Sequence, residues 1–339
     1  MRIFITGGAG FIGCNLAAHH LAKGNHVYVF DNLSRPRTQF NLEWLKTQGD
    51  VHFSQGDVRA YDVLRDAMAQ AQPDLVVHLA AQVAVTTSVK NPREDFEINA
   101  LGTFNTLEAV RSLPIPPALI YASTNKVYGG MEEVGVVLEN DRYRYRDYPN
   151  GIDEQQPIDF HSPYGCSKGT GDQYVRDYAR IYGLRTVVFR QSTIYGSRQF
   201  GVEDQGWLAH FIIATVTGRP ISIYGDGKQV RDMLHVSDLI AAYDAAWSRI
   251  DQVKGEIFNV GGGAQNTLTI WSETGPMLEQ LAGHPIPVKY ADWRPGDQPV
   301  FISNNGKARR QLDWSPKVNV HEGMRRLWHW VKDNRVLFD

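Results

Sequence analysis

Short β-branched or aromatic runs recur along the first half of the chain, at Arg2–Thr6, Val27–Asp31, Val51–Gln55, Leu75–Leu79, Leu119–Ala122 and Thr186–Arg190. Most are apolar on both faces, which predicts strands covered from both sides, and helical periodicity fills most of the gaps between them. A βα repeat of this kind predicts a parallel sheet with right-handed crossovers, hence a doubly wound α/β fold. One helix runs from about Pro92 to Leu113 and must stop before Pro114-Ile115-Pro116-Pro117, whose prolines cannot continue it. The stretch Met131–Gln156, rich in Tyr, Arg, Asp and Glu without a sustained period, predicts a long surface loop. Beyond about Gly196 the alternation lapses, yet Glu256–Val260, closed by Gly261-Gly262-Gly263, again reads as a sheet strand. Two interleaved domains are therefore expected: a larger one built on the parallel sheet over 1–190 plus about 230–262, and a smaller mixed α/β one over about 191–229 plus 263–339.

Composition narrows the function classes. With 42% hydrophobic and 21% charged residues the chain is globular rather than disordered. Lys+Arg of 35 against Asp+Glu of 37 creates no field for nucleic acid or an anionic membrane. Cys14 and Cys166 are the only cysteines, too few for a disulfide framework or a zinc cluster, so no metal is expected. Met1 leads straight into a strand, without the features of a signal peptide, and no apolar run approaches the roughly 20 residues of a membrane span. A cytoplasmic protein is expected.

Chemistry concentrates at two places. Thr6-Gly7-Gly8-Ala9-Gly10-Phe11-Ile12-Gly13 follows the first strand and opens a helix, a spacing that brings backbone N–H groups and a helix N-terminus to a pyrophosphate. Asp31 ends the next strand, where a carboxylate accepts ribose hydroxyls and repels a 2′-phosphate, favouring NAD over NADP. Arg35 and Arg37 read as solvated loop charges. Asp57 suits either an adenine edge or a helix cap. Farther on, Tyr164 and Lys168 lie four apart on one helix face, where an ammonium beside a phenol favours the phenolate and makes Tyr a base. Ser123–Thr124 falls at the C-terminal end of the fifth strand, the edge where open α/β sheets bind ligands. Cys166 reads as a small buried residue at the helix interface, and His19–His20 as structural.

Thr6–Gly13, Asp31-Asn32-Leu33-Ser34, Leu79-Ala80-Ala81-Gln82, Asn99-Ala100-Leu101-Gly102-Thr103, Tyr164–Lys168 and Tyr195–Gly196 resemble the extended short-chain dehydrogenase/reductases, NAD(P)-dependent enzymes of nucleotide sugars. The resemblance runs through Arg294-Pro295-Gly296-Asp297 to Leu312–Pro316, nearly the whole chain. It implies a Rossmann-type sheet with a smaller substrate-binding domain. Within the superfamily, Ser123–Gly129, Asp159–Gly169, Gly196–Phe200, Asp204–Trp207 and Gly227–Asp232 are most similar to the 2-epimerases of CDP-activated deoxyhexoses. That branch implies C2 epimerisation of a CDP-sugar through a transient 2-keto intermediate; a nucleotide-sugar 4-epimerase using the same triad is the alternative. The resemblance implies Thr124, Tyr164 and Lys168 as the catalytic triad. NAD contacts are implied for Gly7, Gly10, Phe11, Ile12, Gly13, Asp31, Asn32, Ser34, Asp57, Val58, Leu79, Ala80, Gln82, Asn99, Ser123, Tyr164 and Lys168. Substrate contacts are implied for Asn125, Arg198, Gln205, Trp207, Tyr224, Arg231 and Arg294; the two arginines at 231 and 294 suit a pyrophosphate, while Trp207 and Tyr224 either stack on a nucleobase or pack. Two departures matter. The dehydratases carry an acidic pair where Asn125-Lys126 follows Thr124 here, and the common 4-epimerase pattern has Asn where this chain has Thr193. The two long helices Asn91–Leu113 and Tyr164–Tyr182 imply a homodimer of the kind that family forms.

Overall fold

The computed structural model describes residues 1–294 and 296–338. Its central element is a seven-stranded parallel sheet. β1 (Arg2–Thr6), β2 (His26–Asp31), β3 (Val51–Gln55), β4 (Leu75–His78) and β5 (Ala118–Thr124) are joined by strands Thr186–Gln191 and Ile257–Val260. The spatial order is Ile257–Val260, Thr186–Gln191, β5, β4, β1, β2, β3. In-register pairs such as Ile5↔Val29 and Ile5↔Val77 put β1 between β2 and β4. The strand order reverses there, and the C-terminal edge at such a switch point is where open α/β sheets bind ligands.

The strands form where expected because their side chains have helices to pack against on both faces. Phe4, Val76, Leu119 and Val188 on one sheet face join Leu64, Met68, Leu107, Val110 and Val175 from helices in one buried cluster. The helix begun at Pro92 ends at Ser112, as the prolines require, but it contains a π-helical turn over Glu97–Leu101. Met131–Gln156 is not a plain loop: Val136–Glu139 and Arg142–Tyr145 pair as an antiparallel hairpin. Asn140 and Asp141 turn it with φ of +50° and +61°. Both central residues of a type I′ turn need such angles, and Asn and Asp tolerate them.

The chain divides into two compact units. The first comprises Met1–Val127, Ser162–Arg190 and Ile240–Phe258; the second Tyr128–His161, Gln191–Leu239 and Asn259–Asp339. The sequence-based ranges differ from this division chiefly at 128–161 and 230–239, which group with the second unit. In that unit Val230–His235 pairs antiparallel with Thr267–Thr269 and parallel with Val300–Phe301 and Thr193–Tyr195. A second cluster, including Ile212, Met233, Leu268, Leu278, Met324 and Leu327, forms its core. No helix among the described residues is long and apolar enough to cross a membrane.

Candidate active site

β1 runs directly into Gly7, whose φ is +69° and where a Cβ would lie 2.7 Å from the Ala80 nitrogen. A Cβ at Gly13 would come within 2.3 Å of the Gly7 carbonyl oxygen, so the first helix, α1 (Phe11–Ala22), can start against the loop only with glycine there. Gly10 caps α1 with an extended backbone; no side chain caps the helix, and Phe11, Ile12 and Gly13 of its first turn include no acid. The leading N–H groups and positive helix end suit a pyrophosphate.

Asp31 ends β2 beside this loop. Its carboxylate accepts hydrogen bonds from the backbone N–H groups of Ala9 (3.0 Å) and Leu33 (2.8 Å). Burial raises its pKa against the pull of those two donors. Asn32 accepts from the Ser34 N–H (3.0 Å) and donates to Asp57 (2.8 Å). Arg59 holds both Asp57 oxygens, at 2.9 and 2.8 Å, and these bonds bring the carboxyl down to about 2. Asp57 is therefore an anchored acid in an Asx turn, while the N-cap of the following helix is Ala60. Arg35 and Arg37 are half-buried rather than solvated. Val58 packs in the core, and Leu79 and Ala80 donate their N–H groups to the Thr6 hydroxyl at 3.2 and 3.3 Å. The π-helical turn presents Asn99 to Gln82: the Gln82 N–H donates to Asn99 Oδ1, and Asn99 Nδ2 donates to the Gln82 carbonyl, each at 2.9 Å.

The helix Ser162–Tyr182 carries Tyr164 and Lys168. Its start is tied down by the Tyr164 N–H, which donates to Ser88 Oγ at 3.1 Å. Tyr164, Ser167, Lys168, Gly171 and Asp172 share the buried face. A Cβ at Gly171 would meet the Tyr121 hydroxyl at 2.5 Å, so glycine admits that ring beneath the helix. Burial pushes the Tyr164 phenol up to about 12, against the lowering hydrogen bond with Thr124. Burial pulls the Lys168 ammonium down to about 7, opposed by Asp172 and Asp95. Lys168 Nζ donates to the Ala122 carbonyl (2.6 Å) and lies 4.3 Å from the centre of the Tyr121 ring. The expected lowering of the phenol by the ammonium is thus not found here: desolvation dominates, and Nζ is directed to Ala122 and Tyr121.

Ser123 is tied to the same helix. Its hydroxyl donates to Asp172 Oδ2 at 2.7 Å, and Arg190 grips the same carboxylate with two bonds of 2.9 Å. Asn125 Oδ1 lies 3.3 Å from the Thr124 hydroxyl, which donates to it. Cys166, expected to be buried, is exposed, because it falls on the outward face between Gly165 and Ser167. Two carboxylates escaped the sequence analysis. Asp172 repeats the i, i+4 step from Lys168, a local signal that was present. Asp95 is likewise four residues before Asn99, but its partners Gln82 and Ser167 are distant in sequence.

In the second unit Tyr224 ends strand Ile221–Tyr224 and donates its hydroxyl to Glu203 at 2.8 Å. The Arg294 guanidinium lies 3.9 Å from the centre of that ring and 3.3 Å from Asp204. Arg231 pairs with Asp297 at 2.6 Å and donates to the Gln298 carbonyl at 2.7 Å. Pro295, between Arg294 and Gly296 in the motif, lies outside the described residues. Trp207 opens helix Trp207–Thr217 with a buried indole N–H that has no hydrogen-bond partner among the described residues. Gln205 and Val202 exchange backbone bonds of 2.9 Å. Arg198, at φ +67°, places its guanidinium 5.8 Å from the Trp330 ring centre.

A parallel sheet with a glycine cradle at its switch point and a Thr/Tyr/Lys set at the edge of β5 defines a nicotinamide-dependent enzyme. The chain belongs to the NAD dependent epimerase/dehydratase family, whose profile matches residues 3–261. It is 45% identical to CDP-paratose 2-epimerase of Salmonella typhi over 336 residues, covering 98% of this chain and 99% of that one. Among solved structures it resembles the UDP-glucose 4-epimerase of Thermotoga maritima with UDP-glucose (TM-score 0.85, 29% identity, 99% and 100% of the two chains). It also resembles the UDP-glucose 4-epimerase of Thermus thermophilus in complex with NAD (TM-score 0.81, 32% identity, 97% and 99%).

Proposed function

We propose that this protein is an NAD-dependent isomerase that inverts C2 of a CDP-activated deoxyhexose, as in the conversion of CDP-paratose to CDP-tyvelose. The observation that carries this reading is the full-length similarity to CDP-paratose 2-epimerase, with Asn125 rather than a carboxylic acid beside Thr124. A 4,6-dehydration needs an acid and a base at that point, and neither is supplied.

The proposed cofactor residues fit NAD. Gly7, Gly10 and Gly13 leave a cradle that side chains would fill, α1 points an uncapped N-terminus at it, and Asp31 stands at the end of β2. NAD bound there supplies hydride transfer to and from the sugar carbon. Tyr164 would take the proton of the 2-hydroxyl as the C2 hydride leaves; the transient 2-keto sugar then turns in the site, so that hydride and proton return with C2 inverted. Thr124 holds the same oxygen. Both side chains are nearly buried, so the proton moves inside a site with little access to water. A C2–H in such a sugar has no adjacent carbonyl, and simple deprotonation would leave an unstabilised carbanion. In the second unit Arg231 and Arg294 are the proposed pyrophosphate ligands, with Tyr224 and Trp207 beside the base. A homodimer through helices Pro92–Ser112 and Ser162–Tyr182 completes the proposal; Phe104 and Tyr174 are exposed there and meet edge to face at 5.9 Å.

Epimerisation in heavy water tests the reading. The product should keep its original C2 hydrogen; solvent deuterium at C2 would sink the mechanism. The alternative, a nucleotide-sugar 4-epimerase, draws on the solved neighbours, and it requires inversion at C4 when CDP- and UDP-hexoses are assayed side by side.

A further inference from the structure

Asp95 is a buried carboxylate, 1% exposed, that forms no ion pair among the described residues. Three neutral donors hold it: Gln82 Nε2 at 2.7 Å and Asn99 Nδ2 at 3.1 Å on one oxygen, and the Ser167 hydroxyl on the other. Ser167 adjoins Lys168, which is 3% exposed and whose ammonium contacts a carbonyl and an aromatic face but forms no ion pair among the described residues. Two opposite charges are therefore buried in the same polar layer without contact partners of opposite sign. A desolvated charge is costly unless another balances it.

We propose that Asp95 is a positioning residue for the reaction: it ties the Gln82–Asn99 contact to the helix carrying Tyr164, and it is a fixed counter-charge that keeps Lys168 cationic. The proposal rests on the C2-epimerase reading for its kinetic consequence, though not for the charge itself. The groups around Lys168 leave Asp95 this role. On its own helix Asp172 is shared with Arg190 of strand Thr186–Gln191, and burial raises the Tyr164 phenol. β5 contributes the Tyr121 ring and the Ala122 carbonyl, and burial of His78 on β4 lowers it to about 3, so it is uncharged near neutrality. Both Asp172 and Asp95 support the charged ammonium, Asp172 the more strongly; Asp95, on helix Pro92–Phe96, is the one of the two that forms no ion pair among the described residues.

The test is a titration of Lys168 by NMR in NAD-loaded protein labelled at the lysine side chains, assigned with Lys168→Arg and paired with kcat against pH on a CDP-deoxyhexose. Asp95→Asn should move the lysine titration to lower pH by about one unit, so that activity above the new midpoint falls roughly tenfold while the acid side is spared. Ser167→Ala, which removes one hydrogen bond but no charge, should leave the alkaline limb in place. A uniform loss of kcat at every pH in Asp95→Asn, with an unmoved lysine titration, would reduce Asp95 to a structural residue. A wild-type Lys168 that is already neutral throughout the physiological range overturns the proposal without any variant. Absence of C2 inversion by the wild type would fail the functional reading and leave the titration to judge Asp95 by itself.

Discussion

At Gly13 the constraint is the backbone: a Cβ would lie 2.3 Å from the Gly7 carbonyl oxygen, which cannot swing away as a side-chain end would. Gly13→Ala should cost about 1–3 kcal/mol of stability by overpacking and empty the cradle of nucleotide. Urea unfolding and the nucleotide released on denaturation measure the two effects. Tyr164 stands at the opposite extreme, a residue whose replacement leaves the fold alone. Tyr164→Phe keeps the ring and removes the proton acceptor, so activity should fall about 10²–10⁴-fold with NAD content unchanged. Near-normal turnover would remove Tyr164 from the mechanism. Glycines and the Tyr/Lys pair were legible because their spacing is local and their chemistry distinctive. Asp95 was not, since Ser167, one of the groups that hold it, lies 72 residues away in sequence.

Among the elements, helix Ser162–Tyr182 packs its Tyr164–Lys168–Asp172 face against β5 and strand Thr186–Gln191. Asp172 is fully buried and Arg190 is 4% exposed. Removing one partner of such a pair leaves the other charge stranded, so Asp172→Ala should cost about 3–5 kcal/mol, read from the urea midpoint. An Asp172→Ala variant within about 1 kcal/mol of wild type, the worth of a surface pair, would mean that water reaches Arg190. The hairpin Val136–Tyr145 shows why irregular composition misleads. Arg142 is not a loop charge: it bonds Glu273 and Thr267, and Tyr143 bonds Asp226, so a polar strand is held by long-range partners. The Asn140-Asp141 turn was the readable signal. The π-helical turn at Glu97–Leu101 had none, because it is drawn out by the Asn99–Gln82 exchange between elements.

Over the whole molecule, acid should act through buried histidines. Burial lowers His78 to about 3 and His20 and His235 to about 4. Unfolded histidines titrate near 6.5, so between these values the unfolded chain binds more protons, and stability falls as pH drops from about 6.5 toward 4. Unfolding midpoints across that range should show the decline, and His78→Gln should flatten it. A midpoint indifferent to pH there would mean the histidines titrate normally in the folded protein. The proposed dimer predicts twice the 38.2 kDa chain mass by light scattering at micromolar concentration. A monomer would leave the exposed Phe104 and Tyr174 without the proposed role.

Strand runs, the proline stop after Ser112 and the glycine loop could be read directly, because each depends on residues within a few positions of one another and on backbone sterics that act locally. The doubly wound sheet followed from their order, since crossover handedness leaves few ways to connect such strands. The protonation of Tyr164 and Lys168 could not be read that way. Spacing alone predicted a lowered phenol, whereas in the folded chain desolvation by neighbours from β5 and the surrounding helices outweighs the pairing. That balance depends on which distant groups exclude water from the same few ångströms, and it exists only once the elements have packed.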